Sequence, residues 1–532
     1  DITDPASPKL LWERPLPDGA LTAGTPAVVR LGDTDKNGTW YLVFGSGPTA
    51  VGTNTVSYKS SNARIYVFDL RTGAQPTGTE SGLDIGASGV AVGDLLAVDM
   101  DSDYQVDDIY FGTYGGTGAS QKGKFYRLRI RDGDNAGPPV TPNYQTTVSN
   151  WDIETVVVPG TTADGRPIFA ASEIAQDSSG TKWLYFGTGL YLSLEHVAPT
   201  AYCNYPTTKT TVCTADSDCP GSETCNAVSG YLEYLYGVKE TDDCWKSGGA
   251  SCTYTDAYFL DTSNIKFTGA KAVEAGCFCA GQLMSTIPCD SDGNCPGSCG
   301  TNMLCKNNTS QSCSLDSQCP ADTCVSGRCS SNTALTCSAA SDCQKCIENK
   351  VILKVNNASI TNTGPTSPTN CTNKIDTDAI SCIESNINAS NGCDSGAKAC
   401  KGWRRGIKGQ KSFSKPFVAG GLADYTSFQP TSTTCSLGGN AHLISLHYTT
   451  GTAYVQPTIF TYGGTSGATT SLTISASVNL GIGVPPLGES LVALPLAGDT
   501  YKVITQVSGG LPGTSMAPSL PAKSGYVLWI VK

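Results

Sequence analysis

Five aspartates, Asp99, Asp101, Asp103, Asp107 and Asp108, fall within ten residues of the segment LLAVDMDSDYQVDDIYFGT (95–113). No lysine or arginine lies between Arg71 and Lys122, while Glu80, Asp84 and Asp94 add further negative charge to that run. Carboxylates crowded in this way either hold a cation or stay open to water. Counted as a loop, Asp99 takes position 1, Asp101 position 3, Asp103 position 5 and Asp107 position 9. Gln105, at position 7, can offer its backbone carbonyl. Alternate residues of a tight bend aim into one concavity, and an all-oxygen set from one crowded segment suits Ca2+ better than Mg2+. The expected calcium ligands are therefore Asp99, Asp101, Asp103, Gln105 and Asp107. Two positions depart from an EF-hand: Tyr110 stands at position 12 instead of a bidentate Glu, and Tyr104 at position 6 instead of Gly. The flanks LLAV and IYFGT read as strands, so the loop is expected inside a sheet. The competing reading is a solvated acidic turn.

Other candidates are weaker. The segment GDTDKNGTW supplies Asp33, Asp35 and Asn37, but its ninth residue is Tyr41 and Lys36 is already present. An Asx-rich turn accounts for it, and no metal is expected there. The three histidines are His196, His442 and His447. The odd spacing of the last two places them on opposite faces of a strand, as packing or surface residues. No catalytic constellation is visible, and the chain is not expected to be an enzyme.

The acidic loop needs a scaffold, and a short pattern recurs around it. WYLVFGSG precedes ARIYVFDLRTG, DDIYFGTYGG precedes GKFYRLRIRDG, and KWLYFGTGLY precedes YLEYLYGVKE, with a looser copy in AHLISLHYTTG. Each unit is an aromatic and β-branched run ending in Gly, a variable loop, and an alternating run ending in a turn. Repeated two-strand units without helical periodicity between them predict an all-β fold with the blades of a β-propeller, a β-sandwich being the alternative. At 532 residues two or more units are expected. Charged residues are 15% of the chain and Gly totals 59, a balance that favours strands and turns.

A net charge of −11 repels phosphate backbones and anionic lipid, which argues against nucleic-acid binding. No run of 18 apolar residues suggests a transmembrane helix. Starting at Asp1 without a leader, the sequence reads as a processed or trimmed product. Its 24 cysteines all lie between Cys203 and Cys435. With one Cys-x-x-Cys pair (Cys343, Cys346) and no histidine in that window, disulfides in an oxidising compartment are expected over zinc. The cysteine motifs starting at Cys289, Cys313 and Cys337 repeat every 24 residues. Such modules have too few apolar residues for a core and need covalent staples. The expected organisation is propeller blades with the calcium loop over 1–202, a small Cys-rich insertion over 203–230 and a propeller strand over 231–240. A Cys-rich repeat insertion over 241–400 and C-terminal blades over 401–532 complete it.

The segments DITDPASPKLLWE, AVDMDSDYQVDDIYFGTYGG…GKFYRLRI, YFGTGLY…YLYGVKE and GWRRGIKGQKSFSKPFVAGGLADYTSFQPTSTTCSLGGNAHLISLHYTTG resemble the C-terminal domain of PilY proteins, type IV pilus tip adhesins and biogenesis factors. The resemblance covers roughly 1–200 and 400–532, and not the cysteine-rich insertions. It implies a modified seven-bladed propeller, a secreted protein at the pilus tip on the cell surface, and calcium-dependent control of pilus extension and retraction. It carries the family's calcium loop onto Asp99, Asp101, Asp103, Gln105 and Asp107. Partners implied are the minor-pilin tip complex of the pilus and a host or abiotic surface. Family members have further propeller sequence before DITDPASPKLLWE. The opening blades are therefore expected on a separate chain, cleaved away, or outside this sequence. The alternative function is a quinoprotein-dehydrogenase-like propeller, suggested by YVFDLRTG. Against it, no two cysteines are adjacent, Trp totals only seven, and the turn motif's tryptophan is missing.

Overall fold

The computed structural model describes residues 3–17, 21–32, 38–53, 55–100, 102–116, 121–132, 143–144, 146–160, 164–193, 196, 201–204, 219, 223–227, 232–240, 253–279, 304–305, 308–312, 324–325, 328–329, 332–336, 346–362, 371–372, 374–393, 398–430, 438–455, 471–484, 488–489, 491–496, 500–506 and 512–517. It divides into two compact units. One comprises Asp1–Phe267, Ile360–Ile459 and Ser475–Lys532, the other Thr268–Ser359 and Phe460–Ile474.

In the first unit, four sheets follow one another along the chain, each built on a four-stranded antiparallel meander. The first holds Ala27–Leu31, Thr39–Gly45, Asn62–Asp69 and Leu83–Ser88. The second holds Ala91–Val98, Asp108–Tyr114, Phe125–Arg129 and Asp152–Val158. The third holds Glu173–Gln176, Lys182–Gly187, Glu233–Lys239 and Gly402–Ile407, the last strand arriving after the long cysteine-rich excursion. The fourth holds Phe417–Ala419, Leu422–Pro430, Gly439–His447 and Ser477–Ile482. A fifth sheet has three antiparallel strands, Leu491–Leu496, Thr500–Gln506 and Pro512–Ala517. The fold is mostly β, as the repeats predict. Closure of the sheets into a ring is not seen among the described residues.

The recurring sequence units are the two central strands of the first three sheets. These strands are apolar on both faces because each sheet is packed on both sides. On the second sheet, Ile109 and Phe111 turn into a core shared with Val29, Val43 and Ile65 of the first. Tyr110, between them, turns into a core shared with Leu184, Phe186 and Tyr236 of the third. The period of two along a strand distributes them in this way. The Gly that ends each first run has a steric cause. A Cβ on Gly45 would lie 2.1 Å from Val92, one on Gly112 would lie 2.3 Å from Ile168, and one on Gly187 would lie 2.4 Å from Ser412. In each case the chain leading into or through the next sheet passes against that position.

Two turns in different sheets share one construction. Gly73 N donates to Asp69 O and Gly451 N to His447 O, both at 2.8 Å. The Trp12 indole donates to Leu70 O at 2.9 Å and Arg14 Nε to Gly73 O at 3.1 Å. Correspondingly, Trp403 donates to Tyr448 O at 2.7 Å and Arg405 Nη1 to Gly451 O at 3.4 Å. Each tryptophan ring lies where a glycine Cβ would stand, at Gly73 (φ +65°) and Gly451 (φ +64°). The tryptophan that the sequence lacks beside these turns is thus supplied from another segment.

Parts of the excursion join the sheets. Tyr254–Thr255 pairs in parallel with Val157 and Val158, and Leu260–Asp261 with Trp403 and Arg404. A helix over Asp376–Asn388 departs from the all-β expectation. Its Ile380, Ile383 and Ile387 are buried at helical spacing, and the Cys371–Cys382 disulfide ties it down. Lys239 Nζ donates to Ile387 O at 2.9 Å, a cation at the helix C-terminus where the dipole favours one. Cys203–Cys219 and Cys393–Cys400 are also disulfides, as expected over zinc. The cysteines that start the 24-residue repeat, Cys289, Cys313 and Cys337, lie outside the described residues.

The sheet of the second unit places the strand Ile265–Cys279, which enters that unit at Thr268, between Cys346–Asn362, which leaves it after Ser359, and Ser471–Thr473. The unit also contains small antiparallel hairpins such as Leu304–Cys305 with Asn308–Ser312. No described helix is long and apolar enough to cross a membrane.

Candidate metal centre

The acidic loop joins the first two strands of the second sheet, whose facing ends are Val98 and Asp108. It is wound around Asp99, which is buried. Asp99 Oδ1 accepts from Ser102 N at 2.6 Å and Asp103 N at 3.3 Å, and Oδ2 accepts from Tyr104 N at 2.8 Å. Pulling three amides onto one carboxylate requires a tight coil, and Ser102 (φ 67°) and Tyr104 (φ 72°) both adopt left-handed backbone. Tyr104 therefore takes the conformation for which position 6 ordinarily selects Gly, at a cost of about 1 kcal/mol. Its side chain points outward, 51% exposed.

Asp107 is fully buried, and its Oδ2 accepts from Met100 N. Asp103 is exposed, its two oxygens accepting from Gln105 N at 2.8 Å and Gln105 Nε2 at 3.1 Å. Gln105 Oε1 accepts from Gly32 N at 2.9 Å, so this side chain bridges the loop to the end of the first sheet. Asp101 lies outside the described residues, as do Asp33, Asp35 and Asn37 of the second acidic segment. Among the described residues no three His, Cys, Asp or Glu side chains converge on one point. Asp99, Asp103 and Asp107 thus share one bend without forming a complete cage. The donor chemistry, carboxylate and carbonyl oxygen alone, fits a hard cation.

The local run lacks cations, but among the described residues the fold brings Arg30 and Lys182 to it from a distance. Arg30, on the first strand of the first sheet, donates from Nη1 to Tyr104 O at 3.0 Å. Lys182, on the third sheet, donates to Met100 O. Both address main-chain carbonyls of the loop. Sequence separations of 74 and 82 residues leave no local signal for either contact. Asp108 faces a different environment. It pairs across the ladder with Arg129, beside a buried network in which Arg127 contacts Glu240 and Glu154, and Arg129 contacts Glu154 at 2.7 Å.

His442 and His447 are buried, and His447 stacks on Tyr454 with 5.9 Å between ring centroids. Burial lowers the His447 pKa to about 4, and burial with the nearby Lys411 charge lowers that of His196 to about 3. Lys411 is itself buried, donating to His196 O at 2.5 Å and Leu190 O at 3.4 Å near Glu233.

No family model matches the chain, and no curated protein matches it. Among solved structures it is similar to the Pseudomonas aeruginosa PilY1 C-terminal domain, at 15% identity and a TM-score of 0.47, over 98% of this chain and 77% of that one. That domain bears the name of the family that the sequence motifs resemble.

Proposed function

We propose that the chain is a non-enzymatic, calcium-binding module of a type IV pilus tip adhesin, acting in pilus assembly and retraction on a modified β-propeller scaffold. The observation that supports the calcium reading best is the coil of the 99–107 loop around Asp99, with left-handed backbone at Ser102 and Tyr104. Asp99, Asp101, Asp103, Asp107 and the Gln105 carbonyl would hold the ion. Bound there, calcium would supply positive charge against clustered carboxylates.

The chain's own residues do the rest. Asp99 fixes the coil, Gln105 ties it to the first sheet, and Lys182 ties it to the third. An ion that favours one loop conformation would bias whatever surface adjoins it. The pilus setting rests on the ordered series of sequence motifs. The disulfides fit an oxidising, extracytoplasmic compartment. The stapled insertions would present the variable contact surface toward a host or abiotic surface.

Calorimetry with Ca2+ on the wild type and on Asp107→Ala tests the metal reading. Heat from the wild type that is lost in the variant is expected, and equal heats, or none from either, would rule it out. Deleting the gene and scoring surface pili and twitching motility tests the pilus reading separately.

A further inference from the structure

Successive strands of an antiparallel meander reverse direction, so its first-to-second turn and its third-to-fourth connection lie at one end. At that end of the second sheet is the 99–107 loop, between Ala91–Val98 and Asp108–Tyr114. At that end of the third are the 177–181 turn and both roots of the cysteine-rich excursion, which leaves at Glu240 and returns at Gly402. At that end of the fourth, Tyr448 and Thr449 follow Gly439–His447. The small hairpin of Ala201–Cys203 with Cys225–Ala227 instead joins second to third strands, at the opposite end. Contacts align these ends from sheet to sheet. Arg30 and Gly32 of the first sheet reach the loop at Tyr104 and Gln105, and Lys182 of the third reaches it at Met100. Asp177 and Ser178 of the third sheet's turn lie against the Tyr448 hydroxyl of the fourth.

Met100 joins the loop to the excursion. Its amide donates to Asp107 Oδ2, and its carbonyl accepts from Lys182 Nζ. The Lys182 carbonyl in turn accepts from Glu240 N at 2.8 Å, where the excursion departs. The neighbouring Lys239 Nζ holds the helix Asp376–Asn388 of the excursion, donating to Ile387 O at 2.9 Å and Asn388 Oδ1 at 2.7 Å. A second tie runs through the fourth sheet, where Thr449 Oγ1 donates to Glu384 Oε1 of the same helix at 2.5 Å. Hydrogen bonds between covalent neighbours thus lead without a gap from Asp107 to the helix. Coupling between separated sites is carried by networks of this kind.

We infer that calcium occupancy of the 99–107 loop controls how firmly the cysteine-rich excursion is seated on the sheets, with Lys182 as the linking residue. Without the ion, repulsion among Asp99, Asp103 and Asp107 loosens the loop. Met100 then no longer presents a fixed carbonyl to Lys182, and the root at Glu240 and the helix beyond it lose a fixed neighbour. With the ion bound, one loop conformation is favoured and the excursion is held in one pose for whatever it contacts. The inference rests on the calcium reading of the loop and is independent of the pilus reading.

Amide hydrogen exchange of the whole protein in calcium and in chelator, read by peptide mass spectrometry, tests it. Calcium should slow exchange in the helix Asp376–Asn388 at least about fivefold, the low end of ordinary coupling between sites. The hairpin of Ala50–Val51 with Val56–Ser57, at the opposite end of the first sheet, should be unchanged. Lys182→Met should remove the slowing at the helix. Lys239→Met combined with Thr449→Val cuts both ties to the helix, so the calorimetric heat of calcium binding should match the wild type while the slowing at the helix vanishes. Calcium heat in the wild type without slowing at the helix would overturn the coupling and leave the metal reading standing. Slowing that survives Lys182→Met, or that extends equally to the Ala50–Ser57 hairpin, would also overturn it. No calcium heat from the wild type would overturn both readings together.

Discussion

Lys182 donates from its ammonium group to the main-chain carbonyl of Met100, so the third sheet holds the root of the acidic loop in the second. Replacing it with methionine keeps most of the stem and removes the charged donor. Lys182→Met is expected to lower stability by about 1–2 kcal/mol, since hydrogen bonds to charged groups contribute somewhat more than neutral ones. The loss should be larger in chelator than in calcium, because an ion would hold the loop by itself. Urea melts with and without calcium check it.

Asp99 and Asp103 separate loop architecture from ion binding. Asp99→Ala removes the acceptor for three loop amides, two of them at 2.6 and 2.8 Å. It should destabilise the protein by about 1–3 kcal/mol even in chelator. Asp103→Ala, on an exposed residue, should leave the chelator melt within about 0.5 kcal/mol and weaken calcium binding at least tenfold. Equal melts for the two variants in chelator would contradict this division of roles.

Asp424 gives the fourth sheet a pH dependence. It is fully buried, and Ser445 faces it across the ladder. Burial raises its pKa to about 7 from an ordinary 3.8. Between those values the folded state keeps a proton that the unfolded chain has released, so stability falls as pH rises and the loss is complete above about pH 7. Its full size is on the order of 4 kcal/mol. Asp424→Asn should flatten the curve of stability against pH between 4 and 7, which thermal melts across that range would read.

Gly112 tests sheet-to-sheet approach. A Cβ there would stand 2.3 Å from Ile168 Cγ2 and 2.5 Å from Ile168 O, and a main-chain oxygen cannot move aside as a side chain can. Gly112→Ala should cost about 1–3 kcal/mol. Gly86→Ala is the control. Its backbone is left-handed (φ +73°) with nothing within 4 Å, so the cost there is conformational alone, about 1 kcal/mol.

What could be read from the sequence was local. Central strands such as Lys182–Gly187 and Glu233–Lys239 announce themselves because both faces are buried, giving unbroken aromatic and aliphatic runs. Edge strands such as Leu83–Ser88 alternate buried with more exposed residues over six positions and include a glycine and an aspartate, too weak a pattern to recognise. The helix over Asp376–Asn388 was hidden by its setting among cysteines, although its isoleucines fall at helical spacing. At the loop, the carboxylates and their spacing were legible. Arg30, Lys182 and Gly32 were not, because only folding brings them there. The tryptophan beside each glycine turn comes from a distant segment, Trp403 from a strand of the third sheet and Trp12 from the chain before the first sheet.

The two-residue parallel pairings at Tyr254–Thr255 and Leu260–Asp261 give the cysteine-rich excursion a second duty. Each caps the outermost strand of a sheet, and between them Asp256 receives Gly160 N at 3.1 Å and the Tyr236 hydroxyl at 2.8 Å while pairing with Arg404. The excursion is fastened at its base like a hem. Trimming it flush with the third sheet would bare two rows of unsatisfied main-chain groups and invite the shortened protein to stick to itself.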